Sequence, residues 1–292
     1  MKNSSLFVAA SVLTAVSSSA QITLTTDLIY NQNFDKAAFT ADINKAGTDD
    51  PLFWDAGGDA NSSDATQWQN NATFGGWYRQ LFVGAVSDRQ DKDFIGEMKG
   101  GTTRFGVATD FSSGFSGTYD TALGVVMQST GTQSAFGVVF EVDAGLQVTS
   151  ADISYTGEQW FRGANNDGGT LEFQYKVLND ISGFLINDET GWTDVNNLDF
   201  TALNTAAGAA KIDGNGAANS TDLSETVTLL ADDTQFIAFR WKYDSVANNA
   251  QAGLFVDDFS VSFTTVSVPE VSSYALFFGV FSMGWIMIRR RY

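Results

Sequence analysis

Apolar and polar residues alternate through much of this chain with a period of two. In 170–178, Leu171, Phe173, Tyr175 and Val177 fall on one side and Glu172, Gln174 and Lys176 on the other. In 234–243, Ile237, Phe239, Trp241 and Tyr243 oppose Arg240 and Lys242. Phe136, Val138, Phe140 and Val142 share one side of 134–142, and Phe255, Phe259, Val261 and Phe263 share one side of 252–263. Successive side chains of a strand point to opposite faces, so the pattern predicts half-buried β-strands. Further strands are expected at 22–30, 79–86, 103–109, 122–127, 146–155 and 223–230. Residues 31–78 are polar and rich in Asn, Asp and Gly, which predicts a long loop region carrying scattered aromatic rings. No stretch of this body sustains a 3.6-residue apolar period, although 35–43 and 198–210 have room for a helical turn or two. Many short strands parted by Gly, Asn and Asp predict an all-β fold, a single jelly-roll-like β-sandwich.

The two ends depart from this pattern. Met1-Lys2, an apolar stretch around Leu6 to Val16 and the small residues Ser17-Ser18-Ser19-Ala20 have the layout of a secretory signal peptide over 1–20. At the other end, Val271 to Ile288 carries no charge. As a helix it would rise about 27 Å, close to the ~30 Å of a bilayer core. Arg289, Arg290 and Arg291 follow it and are expected to remain on the cytoplasmic side. The expected domains are therefore a signal peptide over 1–20, an extracytoplasmic sandwich over 21–265 and a C-terminal tail over 266–292 with a transmembrane helix at 271–288.

The tail resembles the PEP-CTERM sorting signal of Gram-negative bacteria. Val268, Pro269 and Glu270 stand at the motif, Val271 replaces the family's second proline, and 289–291 form the basic stop. The resemblance implies export through the inner membrane and anchoring by the C-terminal helix. It also implies processing by an exosortase and delivery to the cell surface or extracellular matrix.

Charge and missing residue types narrow the chemistry. The net charge is −18. Without Lys2 and the three arginines, 12 of the 16 basic residues remain, and without Glu270, 33 of the 34 acidic ones, so 21–268 carries about −21. Such a surface repels nucleic acid and anionic lipid. The absence of cysteine excludes disulfides and thiolate chemistry, and the absence of histidine excludes Ser-His-Asp triads and histidine-ligated metals. Carboxylate pairs, lysine, tyrosine and oxygen-ligated metals remain.

Asn33-Phe34-Asp35 after the first strand and Gly253 to Val261 in the last resemble the two ends of carbohydrate-binding-module-type, galactose-binding-like jelly rolls. That resemblance implies a structural Ca2+ with Asp35, Asp257 and Asp258 as ligands. All-oxygen ligation suits a hard cation. Clusters at 165–169 and 213–222 look like calcium loops but lack the glutamate of an EF-hand, and their residues form turns by themselves. Trp54, Trp68, Trp77 and Trp160, with Tyr78, lie in or beside polar, Gly-rich stretches and are candidates for a sugar-stacking platform. Glu141, Glu158 and Glu172 are candidate glycosidase carboxylates, but no spacing singles out a pair. The function expected first is a non-catalytic structural or adhesive surface protein associated with extracellular polysaccharide. The alternative is a calcium-supported carbohydrate-binding module, and a weaker one a carboxylate-dependent glycosidase.

Overall fold

The computed structural model describes residues 21–26, 28–34, 75–82, 93–96, 104–109, 121–126, 133–163, 168–244 and 252–268. Its strands in chain order are β1 (Ile22–Leu24), β2 (Ile29–Gln32), β3 (Trp77–Phe82), β4 (Asp93–Gly96), β5 (Arg104–Thr109), β6 (Thr121–Val126), β7 (Gln133–Val142), β8 (Leu146–Arg162), β9 (Thr170–Leu178), β10 (Thr193–Asp194), β11 (Phe200–Thr201), β12 (Ala210–Lys211), β13 (Ser220–Ala231), β14 (Phe236–Asp244) and β15 (Gly253–Ser267). A single 3-10 turn, Asn196–Leu198, is the helical element among the described residues.

The strands form two sheets. The seven-stranded sheet runs β1-β7-β14-β9-β10, with β3 also on β7 and β11 also on β9. The eight-stranded sheet runs β12-β8-β15-β6-β5-β4, with β13 also on β8 and β2 also on β15. The period-two alternation dictates how they stack. Phe136, Val138 and Phe140 of β7, Leu171 and Phe173 of β9, and Phe239 and Trp241 of β14 point inward. They join Val148, Ile153 and Tyr155 of β8 with Leu254, Val256, Phe259 and Val261 of β15 in one core. Burying each such side chain stabilises the fold by about 1.5–3 kcal/mol.

An aromatic cluster holds the middle of this core. Trp241 stacks on Trp77 at 6.0 Å and on Phe136 at 5.6 Å, and meets Phe259 edge-on at 5.1 Å and Tyr155 edge-on at 5.4 Å. The Trp77 indole N–H donates to the Tyr30 hydroxyl at 2.8 Å, which satisfies a polar atom inside the cluster. Burial pushes the Tyr30 hydroxyl up to about 12, only partly offset by that indole.

Several expectations change. The strand expected at 22–30 divides into two. β1 runs parallel to β7 in one sheet, and β2 runs antiparallel to β15 in the other. The chain changes sheets through a turn in which the Leu28 N–H donates to the Thr25 carbonyl. The loop expected over 31–78 loses both ends to strands, since Asn31 and Gln32 belong to β2 and Trp77 opens β3. The helical turn foreseen within 198–210 sits earlier, at 196–198.

The last strand does not keep one alternation. Its register with β8 slips between Asp257 and Ser260, and Asp258 adopts φ +48. Upstream of this bulge Leu254 and Val256 enter the core, and downstream Phe259, Val261 and Phe263 do. Phe255 and Asp257 therefore share the outer face, opposite to Phe259, because one extra residue reverses the side to which a strand's side chains point.

The jelly roll bearing a C-terminal transmembrane sorting helix is corrected to an all-β, mostly antiparallel sandwich. Among the described residues no helix is long and apolar enough to cross a membrane. The backbone pairing there is ladder pairing between strands. Pro269, Glu270, the 271–288 segment and Arg289, Arg290 and Arg291 lie outside the described residues, as does the signal peptide expected over 1–20. Val268 is described, and its N–H donates to the Gly145 carbonyl at the end of β15. Membrane anchoring through that helix, the PEP-CTERM sorting built on it and the surface-delivered structural function that followed from both are withdrawn.

Candidate functional site

The outer face of the seven-stranded sheet carries the side chains that the core pattern leaves over. Across it, Tyr78 of β3 pairs with Gly137 of β7, Gly137 with Arg240 of β14, Arg240 with Gln174 of β9 and Gln174 with Asp194 of β10. One step along β14 and β9, Lys242 stands beside Glu172. A cation at the centre of a sheet face would ordinarily reach water, yet Arg240 is 0% exposed.

The segment 179–192, between β9 and β10, covers it. Arg240 Nε donates to Gln174 Oε1 at 2.6 Å, and Nη1 donates to the carbonyls of Ile186 at 2.7 Å and Asp188 at 2.9 Å. Its guanidinium lies over the Trp192 ring, 4.0 Å from the centroid. Burial lowers the Arg240 pKa to about 10, opposed by the nearby carboxylates of Glu189, Asp188, Asp194 and Glu172. Two lysines fasten the rest of the segment. Lys176 Nζ reaches Asp188 Oδ2 at 3.1 Å and the Thr190 carbonyl at 2.7 Å, while Lys242 Nζ lies 3.3 Å from Glu189 and 3.9 Å from Glu172.

Over this base the covering segment presents aromatic rings. Trp192 is half-buried, and its indole N–H donates to the Asp188 carbonyl at 2.7 Å. Phe184 lies 6.4 Å from Trp192 and meets Tyr78 edge-on at 5.3 Å. Leu185 beside them is 52% exposed. Three partly exposed rings thus run in succession across a sheet face, bordered by the carboxylates of Asp188, Glu189 and Glu172. Rings of this kind stack on apolar faces of a ligand, and carboxylates accept hydrogen bonds from its hydroxyls.

The residues singled out from sequence are placed differently. Trp77 is 0% exposed in the central cluster. Trp160 is 3% exposed on the outer face of the other sheet. Its indole N–H donates to Glu158 at 2.7 Å, and the backbone of Gly214 covers its ring so closely that a Cβ there would collide with the indole. Neither ring is presented for stacking. Trp54, Trp68 and Asp35 lie outside the described residues. Tyr78 does belong to the aromatic row, whereas Trp192 and Phe184 are not among the residues that the sequence singles out. Gly191-Trp192 follows the acidic run Asp188-Glu189, a Gly-flanked polar context like that of the other candidate tryptophans.

Asp257 and Asp258 mark the junction where β15 leaves β6 and takes up β2. Phe259 pairs with Gln32 there, which sets Asn33 and Phe34 beside the bulge. Asp257 is 3% exposed, and Phe34, like Asp258, has a positive φ, of 50°. Among the described residues no group of three or more His, Cys, Asp or Glu could hold a metal ion.

No protein-family model matches the chain, and no curated protein matches it. Solved structures similar in fold include the enzymatically active domain of bacteriophage CBA120 tailspike protein 4, at 8% identity and a TM-score of 0.33. That match covers 65% of this chain and only 19% of the tailspike chain. The module TmCBM61, solved with β-1,4-galactotriose, is similar at 8% identity and a TM-score of 0.27, covering 64% of this chain and 88% of that one. The K2 cleaved adhesin domain of Lys-gingipain is similar at 15% identity and a TM-score of 0.33, covering 70% and 94%. At these scores none of them assigns a ligand or an activity to this chain.

Proposed function

We propose that this sandwich is a non-catalytic carbohydrate-binding module that takes glycan on the outer face of its seven-stranded sheet. The observation that carries the reading is the row of Tyr78, Phe184 and Trp192, partly exposed and bordered by carboxylates. Sugars offer apolar C–H faces to rings and hydroxyls to carboxylates, so such a row matches both halves of their surface. Arg240 and the two lysines fix the segment that carries two of the rings, which limits the ordering that binding would require. Two of the three candidate glycosidase carboxylates are engaged within the fold, which supports binding without hydrolysis. Glu158 is buried against the Trp160 N–H, and Glu172 faces Lys242.

Ca2+ is part of this proposal, with Asp257 and Asp258 at the β15 bulge and Asp35 as its ligands. The donors are all oxygens, the type a hard cation takes, and a bound cation would offset the charge of Asp257, which is 3% exposed.

The test is retention of the full chain on insoluble polysaccharides and on a glycan array, with and without Ca2+. Trp192→Ala and Tyr78→Ala are expected to lose most of the retention while unfolding stays cooperative. Retention equal to wild type in both variants would overturn the assignment of this face. Release of reducing sugar from a bound polysaccharide would overturn the non-catalytic reading.

A further inference from the structure

The rings of Tyr78, Phe184 and Trp192 lie close together but do not share a plane. The planes of Tyr78 and Phe184 stand at 90°, and those of Phe184 and Trp192 at 50°. The planes of Tyr78 and Trp192 therefore differ by at least the difference between those two angles. No two of the three rings are coplanar. The row is also short, since Tyr78 and Trp192 are no farther apart than the 5.3 Å and 6.4 Å centroid steps laid end to end.

The tilts are fixed by what holds each ring. The Tyr78 hydroxyl donates to Gln21 Oε1 at 3.3 Å, and Gln21 is itself anchored through Nε2, which donates to the Val139 carbonyl at 2.8 Å. The Trp192 indole N–H is committed to the Asp188 carbonyl, and the Arg240 guanidinium lies against one face of the ring, 4.0 Å from the centroid. That leaves a ligand only the opposite face. Phe184 stands on a turn closed by its own N–H, which donates to the Ile181 carbonyl at 3.0 Å, and a second turn follows, closed by the Asp188 N–H on the Leu185 carbonyl at 3.0 Å. Swinging the rings into one plane would break the bonds of Tyr78 and Trp192 and lift Trp192 off a buried cation.

A ring holds a sugar by lying parallel to its C–H face. A crystalline polysaccharide presents those faces in one plane, so only one of these three rings can stack on it at a time. A single chain in solution turns about its glycosidic bonds, and its successive units offer faces at different tilts. Resting on the glycan reading of this face, we infer that its ligand is a short run of one non-crystalline glycan chain and not the surface of a crystalline polysaccharide. Rings held at fixed tilts then select a chain by its twist, and little ordering of the protein is needed on binding.

The test compares one polymer in two physical forms. Dissociation constants of the full chain are taken from binding isotherms on microcrystalline and acid-swollen cellulose and on crystalline and colloidal chitin. Affinity electrophoresis in soluble xylan, mannan and mixed-linkage β-glucan completes the set. Using dissociation constants and not capacities removes the difference in accessible area. Binding is expected to a swollen or soluble form, and to be about tenfold weaker or more on a crystalline form of the same polymer, where two of the three stacks are lost. Affinity for soluble fragments is expected to stop rising after a few sugar units. Trp192→Ala, checked for cooperative unfolding, is expected to weaken binding to the swollen or soluble form and to narrow the difference between forms. Equal dissociation constants on the two forms, both weakened by Trp192→Ala, would leave this face a glycan site and overturn the single-chain inference. A preference for the swollen form that survives Trp192→Ala would overturn it too, since the preference would not come from these rings. No binding to any form would remove the glycan reading itself, and this inference with it.

Discussion

At the scale of the residue, Arg240 does the most. It sits at the centre of a sheet face, yet its donors are taken up by Gln174 and by two carbonyls of the covering segment. Arg240→Met is expected to leave those carbonyls without their donor under a segment that no longer has a charge to close on. A loss of about 2–4 kcal/mol in urea-induced unfolding is expected, with greater solvent quenching of Trp192 fluorescence. Arg240→Lys keeps the charge but not the fork and falls between. An unchanged unfolding midpoint in both variants would show that the guanidinium does not hold the segment. Asp258 offers a second test. Its φ of +48 costs a non-glycine residue about 1–2 kcal/mol. With chelator present, Asp258→Gly is therefore expected to melt above the wild type. With Ca2+ present, the wild type is expected to melt well above its own chelated form, while the variant gains much less. A wild type insensitive to both Ca2+ and chelator would remove Asp35, Asp257 and Asp258 from consideration as ligands.

At the scale of the element, the covering segment 179–192 is held by charge, and its response to acid follows. Asp188 is held below its ordinary value by the Thr190 backbone N–H first, then by the Thr190 hydroxyl and by Lys176. A carboxyl depressed in the folded state adds stability that is complete above its unfolded value of 3.8 and is lost as pH falls through its folded value. The segment is therefore expected to stay closed at neutral pH and to loosen only below pH 3.8. Asp199 acts in the opposite sense, because burial raises it above 3.8 and the folded state holds its proton more tightly as acid is added. Trp192 fluorescence followed from roughly pH 6 to pH 2 should separate the two, with a transition in the lower part of the range before global unfolding. A Trp192 signal that changes only together with far-UV circular dichroism would refute a separately released segment.

At the scale of the molecule, acidity and shape set the partners. A net charge of −18 disfavours polyanions whatever the local site offers. At low ionic strength the full chain is expected not to retard duplex DNA and to be retained better on neutral than on uronic-acid polysaccharides. Retention that rises with the anionic content of the polymer would refute this.

The β class and the core-facing alternation of β7, β9 and β14 were legible in the sequence, because a strand's two faces are written directly as a period of two. The partners of each strand were not. The split of 22–30 between sheets follows from a turn at Thr25–Leu28, and the reversal within β15 follows from one extra residue at Asp257-Asp258. Both are local backbone events that leave the apolar count of the segment unchanged. Burial of tryptophans was equally hidden. Trp77, Trp160 and Trp192 sit in similar polar, Gly-flanked contexts, yet the first is core, the second is sealed by Gly214 and the third tops Arg240. By itself the sequence determined that this protein is an acidic β-sandwich without histidine or cysteine chemistry, since composition and alternation are properties of the chain. Only the tertiary structure decided which of the described rings remain at the surface, since that depends on what distant segments cover.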